Sequence, residues 1–179
     1  MCAKEWSFVV CSSLALLTLA CATWNDEADT SVNGSVAGQA FAGDAADFDV
    51  LGNGGLLIAI SGAGGICQYA SASDGGIPAS LDIEWLSILT CGGLTDVTGD
   101  YVIRPDFQET SLDACDPKVA GATLRRVAGG VATQVVADGG MLTLTASSDQ
   151  NLKGKLTLNF GGEAMTGEFT AAFCASLNH

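Results

Sequence analysis

The sequence predicts an all-β domain, an antiparallel β-sandwich or flattened barrel of roughly nine strands. Three observations carry this expectation. Glycine is abundant (23 of 179 residues) while charged residues make up only 15%, the balance that many short strands joined by Gly-containing turns produce. Several segments alternate apolar and polar residues with period two. No long stretch carries the 3.6-residue period of an amphipathic helix, so the crossover helices that a parallel α/β sheet needs are missing.

The strands follow in order. Residues 35–42 and 46–51 predict a first pair around Gly43-Asp44. Leu56–Ser61 is a short continuous apolar run, and a helical turn fits residues 66–71. Residues 81–89 alternate imperfectly, and 100–104 stop at Pro105, which cannot continue a paired strand. Residues 130–137 and 140–145 flank Asp138-Gly139, a strong two-residue hairpin signal, which would set Val135 opposite Leu142. The clearest piece is residues 150–160 and 163–173 around Gly161-Gly162. With those glycines as the loop, Leu158 faces Met165, Lys155 faces Glu168 and Thr157 faces Thr166. A one-residue slip would set the apolar row of one strand against the polar row of the other.

The N-terminus predicts export. Lys4 supplies a thin positive region, and residues 6–20 then run apolar or small without a charge, too short for the ~20 residues of a membrane-spanning helix. Leu17-Thr18-Leu19-Ala20-Cys21 resembles a lipobox, with Thr18 where that motif usually carries Leu. Ala20-Cys21-Ala22 also suits ordinary signal peptidase, cutting before Thr23. The expected division is a lipoprotein-type signal peptide over 1–20, the lipid-bearing Cys21 with an acidic tether over 21–32, and a single β domain over 33–179. A lipidated Cys21 would hold the chain on a membrane, each buried CH₂ contributing about 0.8 kcal/mol. The expected place is the cell envelope, attached to the outer membrane, with plain secretion as the alternative.

Charge and cysteines bound the partners. The formal net charge is −13, which argues against nucleic acid and anionic lipid, since both need clustered Lys and Arg. Arg125-Arg126 is the basic pair. Cys2, Cys11 and Cys21 fall in the signal and anchor. Cys67, Cys91, Cys115 and Cys174 remain, an even set suited to disulfides in an oxidising compartment. Three pairings are possible. Cys67–Cys91 with Cys115–Cys174 is the expected one, because nearest-neighbour pairing of the first two leaves the last to tie down the C-terminal strand. Metal binding is not expected: no two of these cysteines have CxxC spacing, and the one histidine is the terminal His179.

No catalytic motif emerges. The single His179 supports no Ser–His–Asp or Cys–His site, and no P-loop, GxSxG or HExxH is present. The glycines of 52–55 and 62–65 read as turns, and no cofactor is expected. Asp82 and Glu84 lie two apart in a strand and so share a face, a speculative carboxylate pair of the kind a glycoside hydrolase uses. Against it stands a solvated or charge-guarded strand. Asp44, Asp47 and Asp49 form a looser cluster whose spacing does not match a Ca²⁺ loop. Asp96 and Asp100 flank Gly99 and read as turn residues. Asn33-Gly34-Ser35 fits a glycosylation acceptor only in a eukaryotic pathway. Trp24 and Trp85 could stack a ligand, but Trp85 fits better as a core residue.

These residues carry a resemblance. "SVNGSVAGQAFAGDAADF", with Gly34, Gly38 and Phe41 in a G-x-x-x-G-x-x-F opening, is followed by "LIAISGAGGICQYA", "GDYVI" and "GGMLTLTA". The chain closes with "LKGKLTLNFGGEAMTGEFTAAFC", in which Gly167, Phe169, Phe173 and Cys174 form the ending. In this order, after a lipobox, the chain resembles a group of uncharacterised small lipoproteins of myxobacteria and related bacteria; Cys91 departs from that pattern. The resemblance implies a β domain attached to the outer membrane and brings no activity with it. The leading expectation is therefore a non-enzymatic envelope protein with an unknown protein or glycan partner. A carboxylate-dependent polysaccharide hydrolase using Asp82 and Glu84, and a Ca²⁺-dependent adhesion module around Asp44–Asp49, are the alternatives.

Overall fold

Alternating burial along β10 (Asn151–Phe160) shows how the sequence makes its core. Leu152, Leu156, Leu158 and Phe160 are buried, while Lys155, Thr157 and Asn159 between them are exposed. The computed structural model describes residues 30–52, 54–62, 64–72, 81–91, 97–107 and 118–177. The signal segment, Cys21, the tether as far as Asp29, Trp24, Asp96, Cys115 and His179 lie outside the described residues.

β10 turns back into β11 (Glu163–Phe173) through Gly161-Gly162, and the register is the one expected. Leu158 pairs with Met165, Thr157 with Thr166, and Lys155 with Glu168. The Lys155 Nζ–Glu168 Oε1 distance is 2.6 Å, an exposed ion pair that contributes at most about 1 kcal/mol.

The remaining strands are β1 (Ser31–Val36), β2 (Gln39–Gly43), β3 (Ala45–Val50), β4 (Leu56–Ser61), β5 (Ile83–Thr90), β6 (Gly99–Ile103), β7 (Val119–Ala128), β8 (Val131–Val136) and β9 (Gly139–Ser147). One short helix, α1 (Cys67–Ala72), stands between β4 and β5. The pairing runs β10-β9-β6-β7-β5-β4-β3-β11, and β11 pairs with β10 again. Eight strands thus close a ring, which is barrel rather than sandwich topology. Three more strands are added to it: β1 and β2 on β11, and β8 on β7. Most pairs are antiparallel, but β6–β7 and β3–β11 each make a short parallel contact.

Among the described residues, large apolar side chains fill the inside of the ring. Phe48, Ile58, Leu86, Tyr101, Leu124, Leu142 and Leu158 point inward and are all but completely buried, as expected when an eight-stranded barrel is just wide enough for its own side chains. Tyr101 keeps its hydroxyl satisfied by donating to the Val97 carbonyl at 2.7 Å. Each such Leu, Ile or Phe contributes about 1.5–3 kcal/mol by leaving water. A second, smaller cluster lies outside the ring, where Ala59, Ile66, Ile83 and Val127 pack with Tyr69, Trp85 and Leu177. Trp85 is thus a packing residue.

Two hairpins differ from expectation. Residues 130–137 do not fold onto 140–145 around Asp138-Gly139. Instead β8 turns back on β7 at Gly129-Gly130, whose φ values of 56° and 78° suit the tight turns that a right-twisted hairpin needs. Val135 therefore faces Leu124, and Leu142 pairs with Leu156 and Tyr101. The physical reason is burial. Leu142 and Leu144 are wanted in the ring between β6 and β10, whereas all six residues of β8 are exposed. At the other site, β2 does not turn back onto β3 at Gly43-Asp44 but pairs with β1 around Ala37-Gly38. Gly43 answers a packing need, because a Cβ there would come within 2.6 Å of Ile60 Cγ2. β1 also takes in Ser31 and Val32, which the sequence assigned to the tether.

The disulfide pairing is corrected as well. Cys67 bonds to Cys174, which excludes both Cys67–Cys91 and Cys115–Cys174. β3 explains the choice, since it holds both partners. The Phe48 carbonyl accepts the Cys174 N–H at 2.8 Å, and the Asp47 carboxylate accepts the Cys67 N–H at 2.9 Å. Proximity in the ring, rather than along the chain, brings the two sulfurs together. Cys91 is also disulfide-bonded, to a partner outside the described residues.

Candidate functional site

Asp82 and Glu84 do lie on one side of β5 and its lead-in, as the two-residue spacing requires. Each is engaged by β7 or its turn. The Asp82 carboxylate accepts the Gly129 N–H at 2.7 Å, and Glu84 forms a half-buried ion pair with Arg126, its cross-strand neighbour. The first contact fastens the β7–β8 turn to β5. The second neutralises two charges at the rim of the ring. Neither carboxylate stands free as the partner of the other.

The aspartates of β3 divide. Asp44 is exposed, whereas Asp47 and Asp49 are buried on the outward side of the strand. Burial pushes the Asp47 carboxyl above the ordinary carboxylate range, against the hydrogen bonds from the Cys67 and Ile66 backbone, which pull it down. Asp49 accepts the N–H of Val50 at 2.7 Å. Among the described residues no group of three or more His, Cys, Asp or Glu is placed to hold a metal ion. Asp100 is not a turn residue: it belongs to β6 and accepts the Thr143 hydroxyl at 2.7 Å.

The feature that sequence reasoning missed lies on the outside of the barrel. A cleft of about 250 Å³ opens over β5, β7 and β8 and is walled by Pro105 and Phe107, which follow β6. Strand register sets its residues in rows. Arg125 and Gln134 are direct neighbours across β7 and β8, with Trp85, outside the lining, beside Arg125 on β5. Ser87, Thr123 and Val136 form the next row, and Leu89 with Gly121 the third. Gly121 lets the third row be capped. A Cβ there would stand 2.5 Å from the Phe107 carbonyl oxygen and 3.3 Å from its ring, so only glycine admits the 105–107 segment so close to the sheet.

The electrostatics of the cleft are one-sided. Arg125 is exposed, and among the described residues its guanidinium meets no hydrogen-bond or ion-pair partner; Arg126, one residue on, points to the other side and meets Glu84. Among the described residues, the side-chain polar groups of Ser87, Thr123 and Gln134 likewise have no partner. Among the described residues that line the cleft, none is acidic. A signal for this was present in the sequence. Period-two alternation through 119–128 splits Arg125 from Arg126 and puts Thr123 and Arg125 on one face, but the basic pair reads as a single patch until the strand is recognised.

No known protein family matches the chain, and neither a curated protein nor a solved structure does.

Proposed function

We propose that this chain is an exported, lipid-anchored protein of the bacterial envelope that binds a ligand or partner and is not an enzyme. Cys21 carries the lipid, the barrel is the scaffold, and the cleft over β5, β7 and β8 is the working surface. The observation that carries the reading is the cleft itself. It offers an uncommitted guanidinium and three uncommitted hydrogen-bonding side chains, while the carboxylates best placed by sequence for hydrolysis are engaged with Gly129 and Arg126. Support for export comes from the Cys67–Cys174 bond and the bonded Cys91, since structural disulfides persist in oxidising compartments. The apolar segment before Cys21 and the resemblance to small myxobacterial lipoproteins point the same way, to the outer membrane.

Intact mass of the mature protein from its native host tests the reading. The expected species begins at a lipidated Cys21 and lacks four hydrogens for two disulfides. A mature chain beginning at Thr23 without lipid would replace anchoring by secretion. Free thiols at the body cysteines would sink the compartment argument.

A further inference from the structure

Resting on the reading of the outer cleft as a binding site, we infer its ligand class: a small carboxylate that also carries hydroxyls, a uronic-acid sugar residue being the type. Charge gives the first constraint. The chain has 20 acidic against 7 basic side chains, and yet no carboxylate of the described residues pairs with Arg125 in the cleft. A guanidinium presents paired donors that match a carboxylate in a bidentate contact. One arginine is a poor match for a phosphate dianion or polyanion, which clustered bases serve better. The described residues of the lining include no Asp or Glu, and so offer no counter-charge to the ammonium of a free amino acid.

The rows give the second constraint. Residues two apart on a strand are separated by about 6.8 Å, and neighbouring strands by about 4.8 Å. Arg125 with Gln134 therefore lies one row, about 6.8 Å, from Ser87 and Thr123, and two rows from the Phe107 wall. A ring held by its carboxylate at Arg125, beside the Gln134 amide, spreads over the second row, where the Ser87 and Thr123 hydroxyls can donate or accept. Its C–H face meets Phe107, Pro105 and Leu89. The volume, about 250 Å³, falls below the roughly 300 Å³ at which pockets for drug-sized ligands begin, and so suits one sugar unit rather than a long chain enclosed end to end.

The test is a titration of the ¹⁵N-labelled, oxidised mature chain with D-glucuronate, D-glucose, acetate and inorganic phosphate. Glucuronate is expected to shift and saturate resonances over 121–136 and at Phe107, with glucose and acetate each at least about tenfold weaker, or about 1.4 kcal/mol. Arg125→Gln is expected to weaken glucuronate by at least about tenfold at an unchanged melting temperature, and Arg125→Lys to recover part of the loss. Acetate or phosphate binding as tightly as glucuronate overturns the ligand class, as does an Arg125→Gln variant that binds like the parent. A titration silent at tens of millimolar also overturns it. The envelope reading then stands or falls separately, on the intact mass.

Discussion

Replacing both Cys67 and Cys174 by alanine removes the bond that ties α1 to the seam where β11 meets β3. The sequence separation is 107 residues. Closing a loop of that length in the unfolded chain removes entropy of about 2.1 + 1.5R ln 107 cal/mol/K, or about 4.8 kcal/mol at 25 °C. The native side of the balance changes little. The Cys174 N–H keeps the Phe48 carbonyl, the Cys67 N–H keeps Asp47, and Phe48 and Phe173 still meet edge to face at 5.6 Å. A loss of about 4–5 kcal/mol is comparable to the whole stability of many domains. Urea denaturation of the parent and the double variant, followed by tryptophan fluorescence, measures it through the midpoint. A loss below about 1 kcal/mol would refute the reasoning, because it would mean that loop closure is not what the bond supplies.

Asp47→Asn removes a carboxyl whose folded-state pKa is raised by burial. Such a group contributes stability that is full below the ordinary carboxylate range and is lost as pH rises through the raised value. Parent stability minus variant stability is therefore expected to fall over that window and then level off; melting temperatures from acid to neutral pH check it, and a rise contradicts it. Gly121→Ala puts a Cβ 2.5 Å from the Phe107 carbonyl, so the 105–107 segment must shift. The expected outcome is about 1–3 kcal/mol of destabilisation together with weakened glucuronate binding, read by calorimetry and titration. Non-reducing peptide mapping is expected to link Cys91 to Cys115, the one arrangement of the four body cysteines that contains Cys67–Cys174. A Cys115 peptide carrying a free thiol would contradict it.

Legibility in the sequence followed the reach of the interactions. The β10–β11 register was readable to the residue, because unbroken alternation on both strands leaves one pairing that buries a whole row. The β8 hairpin was not. Gly129-Gly130 and Asp138-Gly139 both offer a turn, and the decision rests on which segment the ring needs beside β6 and β10. Gly43 illustrates the same limit, since Ile60, which demands it, lies on another strand. Asp82 and Glu84 were correctly placed on one side, but their partners come from β7 and its turn, more than forty residues away. The cysteine pairing followed a spatial neighbourhood built by β3, which spacing along the chain does not encode. The cleft was legible in half: alternation exposes Thr123 and Arg125, whereas the wall from 105–107 depends on the approach that Gly121 permits.

The position of β1 bears on mechanical load. In an anchored chain, tension from the membrane enters the fold at Thr30 and Ser31, at the head of this strand. β1 is bonded along both of its sides, to β11 and to β2. Just before it, the Thr30 hydroxyl grips both the carbonyl and the N–H of Thr170. A pull therefore cannot strip a bare outer strand one bond at a time. It meets a side-chain clamp first and then two ladders loaded together, so an anchor placed there would pull on a strand held from both sides.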